Sequence, residues 1–198
     1  FKKVYISPFE HSSFYGSLDF YQIPFELLPT NKSGQIDLVD FEIKMKDYPA
    51  PVFVIYAANE TGVIQPMKEI HSIASQFEMP IFSDLMQAFG KIEIDFSILE
   101  GFTFSGHKIG AGMGASLCYA PEKYLVKDFG IFKGGNQENS HRAGTENSAA
   151  IQAFQSASKE QLASLIEKNL RLNFYRPLIE NSLEKLGAEI IAKSSPRL

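Results

Sequence analysis

Gly101-Phe102-Thr103-Phe104-Ser105-Gly106-His107-Lys108 is the stretch on which the fold reading turns. An apolar run of strand character ends abruptly in small and polar residues and then meets Gly110, Gly112 and Gly114. In an open α/β sheet the carboxyl ends of strands are where ligands bind. Working outward, Lys3 to Ser7, Val52 to Ala57, Pro80 to Ser83 and Ala115 to Tyr119 share the same apolar, β-branched or aromatic character and the same polar or glycine punctuation. Between them lie longer amphipathic stretches, Ser12 to Phe20, Asp37 to Lys46 and Pro66 to Phe77. Pro66 suits a first helical position, and Ile70, Ile73, Ala74 and Phe77 make one apolar face. Short apolar runs alternating with amphipathic crossovers predict an α/β fold with a mostly parallel sheet flanked by helices.

Beyond Thr145 the sequence is helical in character as far as Leu186, with Leu162, Leu165, Ile166, Leu170 and Leu172 recurring at three- and four-residue steps. Pro177 is predicted to kink or divide this stretch. Gly187 reads as a helix stop, and Ala188 to Ala192 as a strand that opens a second domain. Residues 1–186 are therefore expected to form one large domain, with 187–198 the start of a truncated small one. A start at Phe1-Lys2-Lys3 without an initiator Met reads as a fragment or processed form.

Composition narrows the function classes. The 44% apolar and 21% charged residues match ordinary globular usage, which argues against disorder and low-complexity architecture. A formal charge of -4, with no basic block, gives no electrostatic case for a nucleic-acid partner. The single cysteine, Cys118, excludes an internal disulfide framework and a Cys-rich zinc site, and fits a reducing, cytoplasmic setting. No apolar run approaches the ~18 residues of a membrane span. His11, His71, His107 and His141 share no metal-like spacing, so no metal is expected, and no Gly-x-Ser-x-Gly elbow supports a serine triad.

Lys108 can be read in two ways. A lysine at a strand's carboxyl end among small residues can be partly desolvated, which frees its amine for a Schiff base, with Ser105 and His107 beside it as phosphate donors. Equally, it is a solvated lysine beside a flexible glycine turn. Asp84, ending another apolar run, could pair with a ring N–H, and Gln87 could reach a phenolic oxygen; Asp84 also reads as a helix N-cap. Asn59, in Asn59-Glu60-Thr61-Gly62, could bond a ligand oxygen or simply make a turn. These groups stand at three strand ends that share one mouth.

The order of motifs, Asn59-Glu60-x-Gly62, Asp84-x-x-Gln87, Ser105-Gly106-His107-Lys108, Gly134-Gly135-x-Gln137-Glu138 and Arg142-Ala143-Gly144-Thr145-Glu146-Asn147, resembles that of the cysteine desulfurases. These belong to the class V aminotransferase group of pyridoxal-phosphate enzymes. The resemblance implies the three-layer large domain of fold type I enzymes, pyridoxal 5'-phosphate as cofactor, and sulfur removal from L-cysteine to give alanine and an enzyme persulfide. It implies that Lys108 holds the cofactor covalently, that Asp84 pairs with the pyridinium nitrogen, and that Gln87 bonds the phenolic oxygen. His11 would stack on the ring and assist proton transfer, and Asn59 would lie near the phenolic oxygen and the substrate carboxylate. Ser105 and His107 would hold the phosphate. Thr145 would reach the phosphate of the neighbouring subunit of a homodimer. A sulfur-acceptor scaffold, as in iron–sulfur cluster assembly, would be a further partner.

Several positions depart from that pattern. Ala58 replaces a frequent asparagine, Leu85-Met86 replaces smaller residues, and Asn136 stands where a third glycine is common. Met86 is expected to meet the ring face opposite His11. The upstream glycine-threonine turn, the downstream carboxylate-binding arginine and the mobile sulfur-accepting cysteine are not found in these residues. Cys118 reads as part of a buried strand and therefore inert. The isolated chain is accordingly expected to be inactive. Another class V activity, such as selenocysteine lyase or aminotransferase, or a non-catalytic relative kept for dimerisation or partner binding, remain the alternatives.

Overall fold

The computed structural model describes residues 2–125 and 132–198. Six strands, β1 (Val4–Ile6), β2 (Phe25–Leu27), β3 (Val52–Phe53), β4 (Ile81–Asp84), β5 (Gly101–Ser105) and β6 (Ser116–Tyr119), form one sheet in the order β2-β1-β3-β4-β5-β6. The first five are parallel, and β6 runs antiparallel to β5. The α/β reading therefore holds, with helices flanking the sheet.

Alternation along the strands sorts the helices between the two faces. Tyr5, Val52, Val54 and Ile81 are buried in one core with Phe41 and Met45 of α2 (Leu38–Asp47) and with Met67, Ile70 and Ala74 of α3 (Met67–Ser75). Phe53 and Phe82, of opposite parity, stack at 4.9 Å, and Phe14 of α1 (Ser12–Phe20) lies 5.2 Å from Phe53. Gly101 has no room for a side chain, because a Cβ there would come within 2.8 Å of both the Phe82 ring and the Tyr119 carbonyl. Asp37 caps α2, its Oδ1 accepting from the N–H groups of Val39 and Asp40. Pro66 is likewise the N-cap of α3 rather than its first helical residue.

The strand order reverses between β1 and β3, and there the sheet splays. Ser7 N–H still bonds Phe53 O at 2.9 Å, but the next inward donor, Ile55 N–H, is taken by the buried carboxyl of Glu10 at 2.5 Å. On its other side β3 keeps bonding β4, through Val54 N to Phe82 O and Tyr56 N to Asp84 O. The strand expected over Val52 to Ala57 thus shortens to two residues because its β1 side is handed to a side chain.

After β6 the chain makes a one-turn segment, α4 (Gln137–Ser140), whose Glu138 and Asn139 have left-handed backbone angles, and then α5 (Ser148–Ala163) and α6 (Leu165–Lys185). The division of the long helical stretch falls at Ser164, not at Pro177. Ser164 Oγ donates to Glu160 O at 2.7 Å, a local bond that competes with the helical ladder, whereas Pro177 sits exposed inside α6. The strand expected over Ala188 to Ala192 is instead irregular chain running into a turn at Ile191 and Ala192, with Gly187 at a positive φ. The tail folds back onto the connection between β3 and α3: Ile64 N bonds Pro196 O at 2.8 Å, Leu198 N bonds Gly62 O at 2.9 Å, and Arg197 pairs with Glu180 at 2.7 Å.

Candidate functional site

A cavity of about 280 Å3 opens at the carboxyl ends of the parallel strands, beside the split between β1 and β3. This is the crevice in which open α/β sheets bind ligands. His11, the cap of α1, and Ser13 in its first turn enter it after β1, Ile55 and Asn59 from the segment after β3, Asp84, Met86 and Gln87 from the end of β4, and His107 and Lys108 from the turn after β5. Six residues predicted from sequence, His11, Asn59, Asp84, Gln87, His107 and Lys108, are thereby brought to one wall-to-wall space.

His11 caps α1. Its Nδ1 accepts the Ser13 N–H at 3.2 Å and lies 2.8 Å from Ser13 Oγ, which puts the proton of the neutral ring on Nε2. Asp84 ends β4, and its Oδ1 accepts from Met86 N–H at 2.7 Å. That local bond caps a turn, not the helix whose N-cap the sequence allowed, and the residue faces the cavity as well. Burial pushes the Asp84 carboxyl up, while the Met86 N–H and the nearby His11 draw it back down. A half-buried carboxylate at a cavity wall favours a cationic N–H partner. Met86 lines the cavity although the strand stops at Asp84, so it arrives there on a turn rather than by strand alternation.

Lys108 closes a short 3-10 turn, Gly106–Lys108, and is exposed at the cavity. The desolvation expected of it falls on another lysine. Lys91, half-buried, has its pKa pushed down first by burial and second by the charge of Lys108. Sequence reading passed over Lys91; its spacing from Gln87, four residues across a turn containing Gly90, was the available signal. Lys91 Nζ donates to Gln87 Oε1 at 2.5 Å, and Gln87 Nε2 donates in turn to Asn59 Oδ1. Glu10, also passed over, lies behind His11. Its carboxyl is pushed up to about 8, chiefly by burial, with Asp84 adding repulsion and the Ile55 N–H opposing.

Ser105 and Thr145 are not among the residues lining the cavity. Ser105 Oγ stands 2.8 Å from His107 Nδ1, which ties it to the cavity at one remove. Thr145 is exposed and precedes the helix it was expected to open, since Asn147 is the cap of α5, with its side chain accepting from Ala150 N–H. Cys118 corrects the buried-strand expectation: it is exposed on β6, although partial enclosure of its thiol pushes the pKa up. Among the described residues no group of three His, Cys, Asp or Glu could hold a metal ion, and no helix is long and apolar enough to cross a membrane.

Comparison with known proteins places this geometry. The chain is 32% identical to the cysteine desulfurase NifS of Azotobacter vinelandii over 155 residues, 77% of this chain and 38% of that protein. It is 35% identical to a cysteine desulfurase of Nostoc over 150 residues, 73% of this chain and 37% of that one. The crystal structure of a NifS-like protein from Rickettsia africae superposes with a TM-score of 0.90 at 32% identity, covering 100% of this chain and 56% of the other. The chain thus spans about two fifths of the length of the curated relatives. The family model for class V aminotransferases matches residues 3–169. The chain belongs to the class V aminotransferase family.

Proposed function

We propose that the cavity binds pyridoxal 5'-phosphate and that the chain is the cofactor-binding part of a cysteine desulfurase. The observation that carries this reading is the convergence, in one crevice, of an amine (Lys108), a half-buried carboxylate (Asp84), two carboxamides (Asn59, Gln87) and two imidazoles (His11, His107). That set is the complement of a flat ring bearing an aldehyde, a protonatable nitrogen, a phenolic oxygen and a phosphate. Lys108 would hold the aldehyde carbon, Asp84 the ring nitrogen, Gln87 and Asn59 the phenolic oxygen, and His107 with Ser105 the phosphate. His11 and Met86 would cover the ring. When bound, the cofactor supplies an electron sink for bond cleavage next to the substrate's amino carbon.

The residues of the chain supply the setting for that chemistry. Asp84, half-buried at the cavity wall, favours a protonated ring nitrogen as its partner. Lys108, exposed at the cavity, would hold the cofactor's aldehyde carbon and, once displaced by the substrate amine, would be free to carry protons. L-Cysteine is the substrate proposed, with alanine as product and sulfur passed to an enzyme cysteine; the likeness to cysteine desulfurases supports it. Cys118 is not that acceptor, because it lies on β6, outside the cavity lining, with its thiol pKa raised. We propose further that residues 1–186 are the cofactor domain and 187–198 the start of a smaller one, that Thr145 serves the partner's phosphate in a homodimer, and that a sulfur-accepting scaffold protein completes the pathway. After addition of pyridoxal phosphate and removal of the unbound cofactor, a visible absorption band should remain with the wild-type chain and none with Lys108→Ala; an equal band in both would remove Lys108 from the proposal.

A further inference from the structure

A row of side chains joins a cation to an anion along one wall of the cavity. Lys91 Nζ donates to Gln87 Oε1 at 2.5 Å, Gln87 Nε2 donates to Asn59 Oδ1, and Asn59 Nδ2 donates to Glu60 Oε1 at 3.1 Å. An ammonium group only donates and a carboxylate only accepts. The two charged ends therefore fix the direction of everything between them. Turning either amide over would set NH2 against ammonium or carbonyl against carboxylate. Each amide nitrogen carries two protons and spends one within the row, so Gln87 and Asn59, which both line the cavity, each keep one N–H to offer.

We infer that Lys91 and Glu60 are positioning residues that lock the polarity of the Gln87–Asn59 pair, so that this wall presents N–H donors and selects a ligand carrying an acceptor oxygen there. The inference rests on the cofactor reading above, in which that oxygen is the phenolic one, and it adds what keeps the wall in the right sense. Without the charged ends, both amides are free to flip and the wall offers donor or acceptor indifferently. Lys91 is half-buried and faces the charge of Lys108, an arrangement that works against its own charge and is offset by the Gln87 carbonyl. Glu60 is exposed, so its hold on Asn59 is the weaker of the two.

The test reads the amides themselves. In proton–nitrogen correlation spectra of the cofactor-free chain, with side-chain signals assigned through Asn59→Asp and Gln87→Glu, the Gln87 amide proton bonded to Asn59 should exchange with water more slowly than those of exposed glutamines. Lys91→Met, by freeing the Gln87 amide to turn over and give up the bond its N–H makes to Asn59, should speed that exchange roughly fivefold, the factor expected on losing a neutral hydrogen bond. Lys91→Arg, which also only donates, should restore it. Glu60→Gln, on the surface and safe for folding, should speed Asn59 and leave Gln87 nearly unchanged. Solvent-like exchange at Gln87 in the wild type, or no response to Lys91→Met, overturns the inference. With pyridoxal phosphate added, Lys91→Met should shift the pH midpoint of the visible band and Lys91→Arg should not. A chain that binds no cofactor yet shows the amide pattern would sink the functional reading alone.

Discussion

Replacing Glu10 by Gln should flatten the dependence of stability on pH between about 5 and 8. Glu10 is only 8% exposed, its Oε1 accepts from Ile55 N–H, and its carboxyl is pushed up from 4.5 to about 8 by burial, with Asp84 adding repulsion. A carboxyl whose folded pKa is raised holds a proton that the unfolded chain has already released. The native state is then favoured fully below pH ~4.5, and the advantage is lost as pH rises through 8. At about 1.4 kcal/mol for each pH step, the raise corresponds to an upper bound of ~5 kcal/mol, of which relaxation around the ionised group should leave a few kcal/mol to be measured. Glutamine keeps an oxygen for Ile55 N–H and carries no charge at any pH. Urea denaturation at pH 5.5, 7 and 8.5 should therefore show the wild type losing a few kcal/mol more than Glu10→Gln over that span. Parallel curves would mean that Glu10 is solvated and that the carboxylate does not hold the splayed end of β3.

Gly101→Ala should destabilise the chain by ~1–3 kcal/mol, because the new methyl meets the Tyr119 carbonyl of the paired strand as well as the Phe82 ring; a shift in denaturation midpoint at constant slope checks it. Asp37→Ala should cost ~1 kcal/mol by removing the acceptor for two N–H groups of α2, with Asp37→Asn recovering most of it in the same assay.

The fold class was legible in the sequence because buried parallel strands and amphipathic crossovers have different periods, and α1 was placed to the residue. The three-residue β2 was missed: Phe25-Glu26-Leu27 is too short to show alternation, and it is held by pairing with β1 and by Glu26 bridging Lys3 and Lys44. The cavity residues at four strand ends were legible as motifs, since ligand-facing positions follow directly from where apolar runs stop. Cys118 was misread because an apolar run gives no sign that its strand lies at the sheet edge. Glu10 and Lys91 left little local trace. Their significance comes from what they touch across the fold: Ile55 N–H, 45 residues from Glu10, and an amide row that reaches Asn59.

The most direct test is to incubate the chain with pyridoxal phosphate, reduce with borohydride, and map the modified peptide by mass spectrometry. Lys91, a second lysine whose pKa is pushed down by burial and by Lys108, serves as the internal control. The account predicts label on Lys108 and none on Lys91. Label on Lys91 or elsewhere, with Lys108 clean, would contradict it.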